Sequence, residues 1–379
     1  MVSRRKVVGG VVAGVAVLAA GGYYKFKPQP PEVGFSLSDA EMDRAIAFLK
    51  ANPAIDSHAH PGRTFVREGA NLNWKLNIYR LMGTFENTAI ADMNKGGMAG
   101  AVFNGVADFP LLEPGDNGLS ATREFEDGES WAAYRTQIEN LIDLEGARIV
   151  TIARNSEEIL AAHALGRQAA VLGMEGADFL ENDIDRLQAV YDDGVRMITL
   201  IHYHNNTLGD ITTGEDLNRG LTDFGHEVVA GMNAAGIVID AAHASAKTAA
   251  QIVTASAQPV VITHSHINTP ALEHPRFIST ELAKSIAQSG GYIGAWPAGI
   301  GINTLAGFID RIEELVNLVG EDHVALGSDM DANYQPVLET YRKMPLVVGA
   351  LLQRGHSEEA VAKFIGGNFM RVMDEVQGV

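Results

Sequence analysis

Residues 236–267, GIVIDAAHASAKTAAQIVTASAQPVVITHSHI, hold two apolar runs that each end in a histidine. Ile237-Val238-Ile239 leads into Asp240-Ala241-Ala242-His243, and Pro259-Val260-Val261-Ile262 leads into Thr263-His264-Ser265-His266. The intervening stretch, Ala246 to Ala257, is alanine-rich and suits a helix. Continuous β-branched runs are characteristic of strands buried in a parallel sheet, so the unit reads β-α-β. In an α/β barrel the C-terminal ends of the strands converge on one rim, where the chemistry is placed. Two histidines at neighbouring strand ends would stand side by side there and suit a metal ion. Taken singly, each could equally be a core or surface histidine that follows a strand.

The same alternation extends along most of the chain. Strand candidates are 55–58, 101–104, 148–153, 169–174, 195–200, 237–240, 259–263, 292–296 and 324–328. That is one more than an eight-stranded barrel needs, and 148–153 is the weakest and reads as an edge segment. The fold expected is α/β, a (β/α)8 TIM-type barrel. With 379 residues, 46% of them hydrophobic, the chain is ample for such a core. A net charge of −18 without a basic stripe argues against binding nucleic acid. The absence of cysteine excludes disulfides, a thiol nucleophile and thiolate-ligated metal, so any metal must be held by His and carboxylates.

Residues 1–27 read as a separate export signal or membrane anchor. Arg4, Arg5 and Lys6 precede an apolar and glycine run, Val7 to Ala20, shorter than the ~20 residues that span a bilayer comfortably. Ser3-Arg4-Arg5 resembles a twin-arginine signal, which implies a bacterial protein exported already folded. The expected location is the periplasm or, if the segment is not cleaved, the outer side of the inner membrane. Residues 28–53 read as a Pro-rich linker and a leading helix capped by Ser38, and residues 54–379 as one barrel domain. The stretch 108–127 reads as a polar surface loop whose acidic residues face water. Ser156 is expected to cap the following helix, and a further helix is expected from Ile184 to Asp193.

Polar residues of one kind recur at the strand ends. Ala54 to Gly62 gives His58 and His60, which share one face of an extended chain and can reach one ion. Ala169 to Gly176 ends in Glu175, Val195 to Leu200 runs into His202, and Val324 to Ser328 ends in Asp329. His163, His226, His323 and His356 lie on or beside helices, and His266 lies past the end of its strand, so none of these is expected in a site. Four histidines and a carboxylate can hold two divalent ions that share a hydroxide of lowered pKa. A donor set without thiolates suits two Zn2+, with Mn2+ or Co2+ as alternatives. Asp329 could then carry the proton from that hydroxide to a leaving amine, and His202 could donate to the oxyanion.

At these residues the chain resembles the membrane (renal) dipeptidases, zinc metallopeptidases on an amidohydrolase-like barrel. The resemblance runs from about Ala54 to Val376 and is carried by Gly173-Met174-Glu175-Gly176, residues 196–210, residues 220–245, Pro259 to Ser265, and Gly327-Ser328-Asp329-Met330-Asp331. It implies that His58, His60 and Glu175 bind one zinc and that Glu175, His243 and His264 bind the other. It further implies that His202 binds substrate, that Asp329 is the catalytic acid/base, and that Arg276 clamps the substrate carboxylate. The family usually has His-x-Asp where this chain has His58-x-His60, which adds a unit of positive charge. The implied activity is hydrolysis of dipeptides, including those with a C-terminal D-residue. A homodimer is compatible with the resemblance, and any membrane contact would run through the N-terminal segment. Two other readings stand beside it: another amidohydrolase-type reaction on an N-acyl amino acid or lactone, and a non-catalytic barrel that binds small carboxylated ligands.

Overall fold

Each of the strong apolar runs becomes a strand of a single parallel sheet in the computed structural model, which describes residues 30–67, 84–115, 118–215 and 217–379. The export segment expected at residues 1–27 lies outside the described residues. In chain order the strands are β1 (Ala54–Ala59), β2 (Met98–Val106), β3 (Ala169–Glu175), β4 (Val195–Thr199), β5 (Val238–Asp240), β6 (Val260–Ser265), β7 (Ile293–Ala295) and β8 (Val324–Leu326). Each pairs in parallel with the next, so sequence order is also spatial order. The circle comes round where β8 meets β1. Asp329 N–H donates to the His58 carbonyl and His60 N–H to the Met330 carbonyl, both at 2.9 Å. The result is a nearly closed TIM-type barrel.

The ninth candidate behaves as its weak pattern predicts. Thr151–Ile152 pairs with Ala169 and Ala170 of β3 and takes no place in the ring. All eight ring strands are buried along their whole length, which is why they read as continuous apolar runs rather than alternating ones. Within the barrel, β6, β7 and β8 approach backbone to backbone. A Cβ at Gly294 or Gly327 would lie 1.7 Å from the Thr263 carbonyl oxygen, so these positions admit nothing larger than glycine.

Helices fill the connections, and polar caps define most of their starts. Ser38 forms a capping box with Glu41, and Thr222, Ser245, Ser279, Thr304 and Ser357 each accept from a backbone N–H in the first turn of their helices. Two expected boundaries move. Asn155 rather than Ser156 caps the helix Ser156–Ala164, because it precedes the first helical residue and its Oδ1 accepts from Glu158 N–H at 2.8 Å. The helix expected from Ile184 begins at Arg186. The stretch between β2 and the helix Glu129–Gly146 is also more ordered than a surface loop, since it contains an antiparallel hairpin, Leu112–Gly115 with Gly118–Ala121.

Candidate metal centre

Glu175 is the last residue of β3, and its buried carboxylate is the centre of the site. Five imidazole Nε2 atoms face it. His58, His243 and His264 stand 3.4, 3.0 and 3.6 Å from Oε1, while His60 and His202 each stand 3.3 Å from Oε2. Asp329 adds a second carboxylate, with Oδ1 3.6 Å from His60 Nε2. Their origins explain the convergence: His58 comes from β1, and His60, Glu175, His202, His243, His264 and Asp329 come from the C-terminal ends of β1, β3, β4, β5, β6 and β8. The chain turns sharply at two of these ends. His243 (φ 65°) and Asp329 (φ 53°) are held in the left-handed region, which costs a non-glycine residue about 1 kcal/mol or more and directs each side chain inward.

The ring nitrogens facing away from the centre are mostly tied down. His60 Nδ1 is 3.1 Å from the Asn104 carbonyl oxygen, His202 Nδ1 is 2.6 Å from Asp108 Oδ1, and the Nδ1 atoms of His58 and His264 are 2.9 and 3.0 Å from Thr263 Oγ1. Each contact turns Nε2 toward Glu175. His58 Nε2 and His60 Nε2 are buried and have no hydrogen-bond partner. Buried polar atoms are normally satisfied, so a pair of orphaned imidazole nitrogens beside two carboxylates fits cation ligands. Three groups have donor atoms within 4.8 Å of one another: His58, His60 and Asp329; His58, Glu175 and His264; Glu175, His202 and His243. The five ligands expected from sequence are therefore brought together, and His202 stands close enough to join them.

Electrostatics divides the histidines. Burial, then the positive charges of Arg276 and His202 at His243 and of His58 and Arg276 at His264, push both pKa values well down, which favours the neutral rings. At His202 burial works in the same direction, but Asp108 and Glu175 outweigh it and raise the pKa. At His58 the attraction of Glu175, Asp329 and Asp240 overcomes burial and raises the pKa to about 9, so this corner of the site demands positive charge. Glu175 is driven up by burial but held well below the ordinary range by the charges of His202 and His58 and by its close contact with His243. Burial raises Asp329 to about 6, with His60 opposing and Glu175 reinforcing the rise.

Arg276 also reaches the site. Its guanidinium donates from Nη2 to His264 Nε2 at 2.9 Å, lies 5.0 Å above the Trp296 ring and approaches the Tyr203 hydroxyl at 3.4 Å. A cavity of about 280 Å³ opens beside it, walled by His243, His264, Ala244, Phe277 and Leu282. His266 stays out, as expected, paired with Glu314 at 2.9 Å. One expectation fails. Asp108 does not face water: it is fully buried, and besides His202 it accepts from Tyr203 N–H at 2.9 Å. Sequence reading also passed over Asp240, Thr263, Tyr203 and Trp296. The first two lie in the stretches Asp240-Ala241-Ala242-His243 and Thr263-His264, where a polar residue within an apolar run has no local sign of its partner.

The arrangement can be set against known proteins. A family model described as membrane dipeptidase (peptidase family M19) matches residues 42–379. The dipeptidase verJ of Clonostachys rogersoniana is 28% identical over 91% of this chain and 89% of its own. The dipeptidase tcpJ of Claviceps purpurea is 30% identical over 75% of this chain and 68% of its own. A metallopeptidase from Rhodobacter sphaeroides, solved with a phosphinate mimic of the dipeptide L-Ala-D-Ala, superposes with a TM-score of 0.71 at 21% identity, over 86% of this chain and 99% of that one. That structural likeness bears on the fold, while the family match covers the barrel and every residue of the metal centre, and on that match the chain belongs to the membrane dipeptidase family of metallopeptidases.

Proposed function

We propose that this chain is a binuclear metallodipeptidase in which His58, His60 and Glu175 hold one divalent ion and Glu175, His243 and His264 hold a second, both zinc. The observation that carries the reading is the single buried Glu175 carboxylate faced on both oxygens by imidazole Nε2 atoms. A carboxylate among imidazoles and without thiolates would suit ions of borderline softness, with Mn2+ and Co2+ as alternatives. Such a pair supplies a water of lowered pKa and polarises the scissile carbonyl.

The remaining roles fall to the chain's own side chains. Arg276, a planar fork stacked on Trp296, binds the substrate's C-terminal carboxylate. His202 is oriented by the contact of its Nδ1 with Asp108, and Asp108 and Glu175 favour its protonated form against burial, which suits donation from Nε2 to the developing oxyanion. Asp329 takes the proton released by the attacking water and gives it to the departing amine, and a carboxyl near 6 is matched to both halves of that transfer at neutral pH. The dipeptide mimic bound by the Rhodobacter sphaeroides enzyme supports including C-terminal D-residues among the substrates. We take residues 54–379 as the catalytic domain and residues 1–27 as an export segment that puts it outside the cytoplasm.

Metal analysis of the purified chain, combined with a panel of L,L- and L,D-dipeptides beside N-acyl amino acids, tests this reading. Two zinc ions per chain with dipeptide turnover are expected. Turnover of N-acyl amino acids alone would replace the substrate class, and an absence of both metal and turnover would leave a binding barrel. Asp329→Asn should retain both ions and lose turnover by ~10² or more. Near-full activity in that variant would refute the proton-transfer role.

A further inference from the structure

Thr263 stands behind histidines assigned to both proposed ions, on the side of each ring that faces away from Glu175. Its hydroxyl lies 2.9 Å from His58 Nδ1, 3.0 Å from His264 Nδ1 and 2.7 Å from Asp240 Oδ2. His58 belongs to one proposed ion and His264 to the other, so one hydroxyl touches a ligand of each. All the groups are buried: Thr263 and Asp240 are 0% exposed, and no competing solvent reaches the cluster.

The donors and acceptors close in one way. Asp240 Oδ1 accepts the backbone N–H groups of Ala242 at 2.9 Å and Thr263 at 3.0 Å, and Oδ2 accepts the Thr199 hydroxyl at 2.6 Å. A carboxylate so placed takes the Thr263 hydroxyl proton as its fourth donor. That leaves the hydroxyl only its two lone pairs, one for each imidazole. Both Nδ1 atoms must then carry hydrogen, so an ion held by either ring must take its Nε2. At His264 the Arg276 guanidinium donates to Nε2 at 2.9 Å, and an ion held there would take the place of that contact.

We propose that Thr263, oriented by Asp240, is a positioning residue that fixes the Nδ1–H tautomer of His58 and His264 together and so couples the affinities of the two ion positions. The inference rests on the binuclear reading above. Neighbours that hydrogen-bond the far nitrogen of a metal-binding histidine typically change metal affinity 10–100-fold. A residue serving a single ligand would affect one ion. Thr263 should affect both.

The test compares the wild-type chain with Thr263→Val, which keeps the shape and removes the hydroxyl, and Thr263→Ser, which keeps the hydroxyl. Zinc affinity and stoichiometry are read by chelator competition, and tautomers by nitrogen NMR of 15N-histidine protein loaded with zinc. The expected result is that Thr263→Val weakens both zinc sites by at least tenfold, that Thr263→Ser stays within about threefold of wild type, and that the wild-type His58 and His264 resonances report Nδ1–H with metal on Nε2. Thr263→Val with both affinities unchanged, or with only one weakened, would overturn the coupling while leaving the ion pair intact. If Thr263→Val does not fold, the wild-type spectrum decides alone: Nδ1 bound to metal in either histidine refutes the proposal. A wild-type chain that binds no zinc would overturn the binuclear reading and this inference with it.

Discussion

Replacing Asp56 by alanine should open the barrel at its seam. Asp56 lies in β1 and is fully buried. Its Oδ1 accepts the backbone N–H groups of Ser328 at 3.0 Å and His58 at 3.2 Å, and its Oδ2 accepts the Tyr341 hydroxyl at 2.8 Å and the Ser328 hydroxyl. One side chain thus ties β1 to the end of β8 and to the segment that follows it. Alanine would orphan all four donors. The two hydroxyls can turn to other acceptors, but the two backbone N–H groups cannot, and each buried unsatisfied donor costs about 1–3 kcal/mol. Removing a carboxyl whose pKa burial pushes up, against the opposing bonds from Ser328, Tyr341 and His58, returns part of that cost. A net loss of about 2–4 kcal/mol remains, a large share of the ~5–15 kcal/mol that stabilises a typical domain. Asp56→Asn should cost only about 1 kcal/mol, since the amide oxygen still serves both N–H groups and the NH2 can donate to the hydroxyl oxygens. Urea unfolding followed by circular dichroism, with metal held constant, measures both. The seam argument fails if alanine costs under about 1 kcal/mol, or if asparagine costs as much as alanine.

Three other outcomes follow from single contacts. Arg276→Ala should raise KM for dipeptides about 10–100-fold with a smaller change in kcat, as a lost charged hydrogen bond to substrate would, and unchanged KM would remove Arg276 from carboxylate binding. Asp108→Asn keeps an acceptor for His202 Nδ1 but removes the charge that raises its pKa, so kcat should fall by ~10² with zinc content unchanged. Equal kcat would mean that His202 acts without its second proton. His204 binds Asp178 at 2.7 Å and Glu124 at 2.9 Å, and these partners raise its pKa to about 9 against burial. A raised folded pKa stabilises fully below the unfolded value near 6.5, and that stabilisation is lost as pH rises through 9. Because Glu124 is largely exposed, the contribution should be only about 1–2 kcal/mol, and His204→Gln should flatten the decline in stability between pH 7 and pH 9.5.

The barrel was readable because its strands are buried on both faces and are short and uninterrupted, and because β-α alternation leaves few other topologies. The polar cluster at the rim was readable for a related reason: an apolar strand that ends in His, Asp or Glu places that side chain on the rim. Asp108 was not readable. It comes shortly after the end of β2, but the acidic, glycine-rich stretch that follows has the composition of a solvated loop, and nothing local announces that His202, 94 residues away, turns its Nδ1 toward it. Thr263 and Asp240 were hidden differently. Both lie on apolar strands where an isolated polar residue ordinarily means a satisfied core group, and the hydrogen bond from Thr263 to His58 crosses the barrel over 205 residues of sequence. Local pattern reveals which residues reach the rim, but the partners that orient them are set by closure of the ring.

His60 shows what that distinction means for the chemistry. Where the resemblance leads one to expect a carboxylate, this chain has an imidazole whose Nδ1 is held by the Asn104 carbonyl of β2, so its Nε2 faces both Glu175 and Asp329. A carboxylate there would lie against two other carboxylates and raise the pKa of each by like-charge repulsion. The imidazole avoids that repulsion, and its attraction is among the influences that restrain Asp329 near 6. Under the proposed assignment the ions are then neutralised by one charge fewer, which strengthens their pull on water and lowers the need for a strong base. A carboxyl near 6 is a weak base and a competent acid, so the substitution at the ligand and the tuning of the proton carrier are consistent with each other. The departure at His60 therefore leaves an imidazole where a third carboxylate would crowd the rim, while burial, opposed by His60, holds Asp329 near 6.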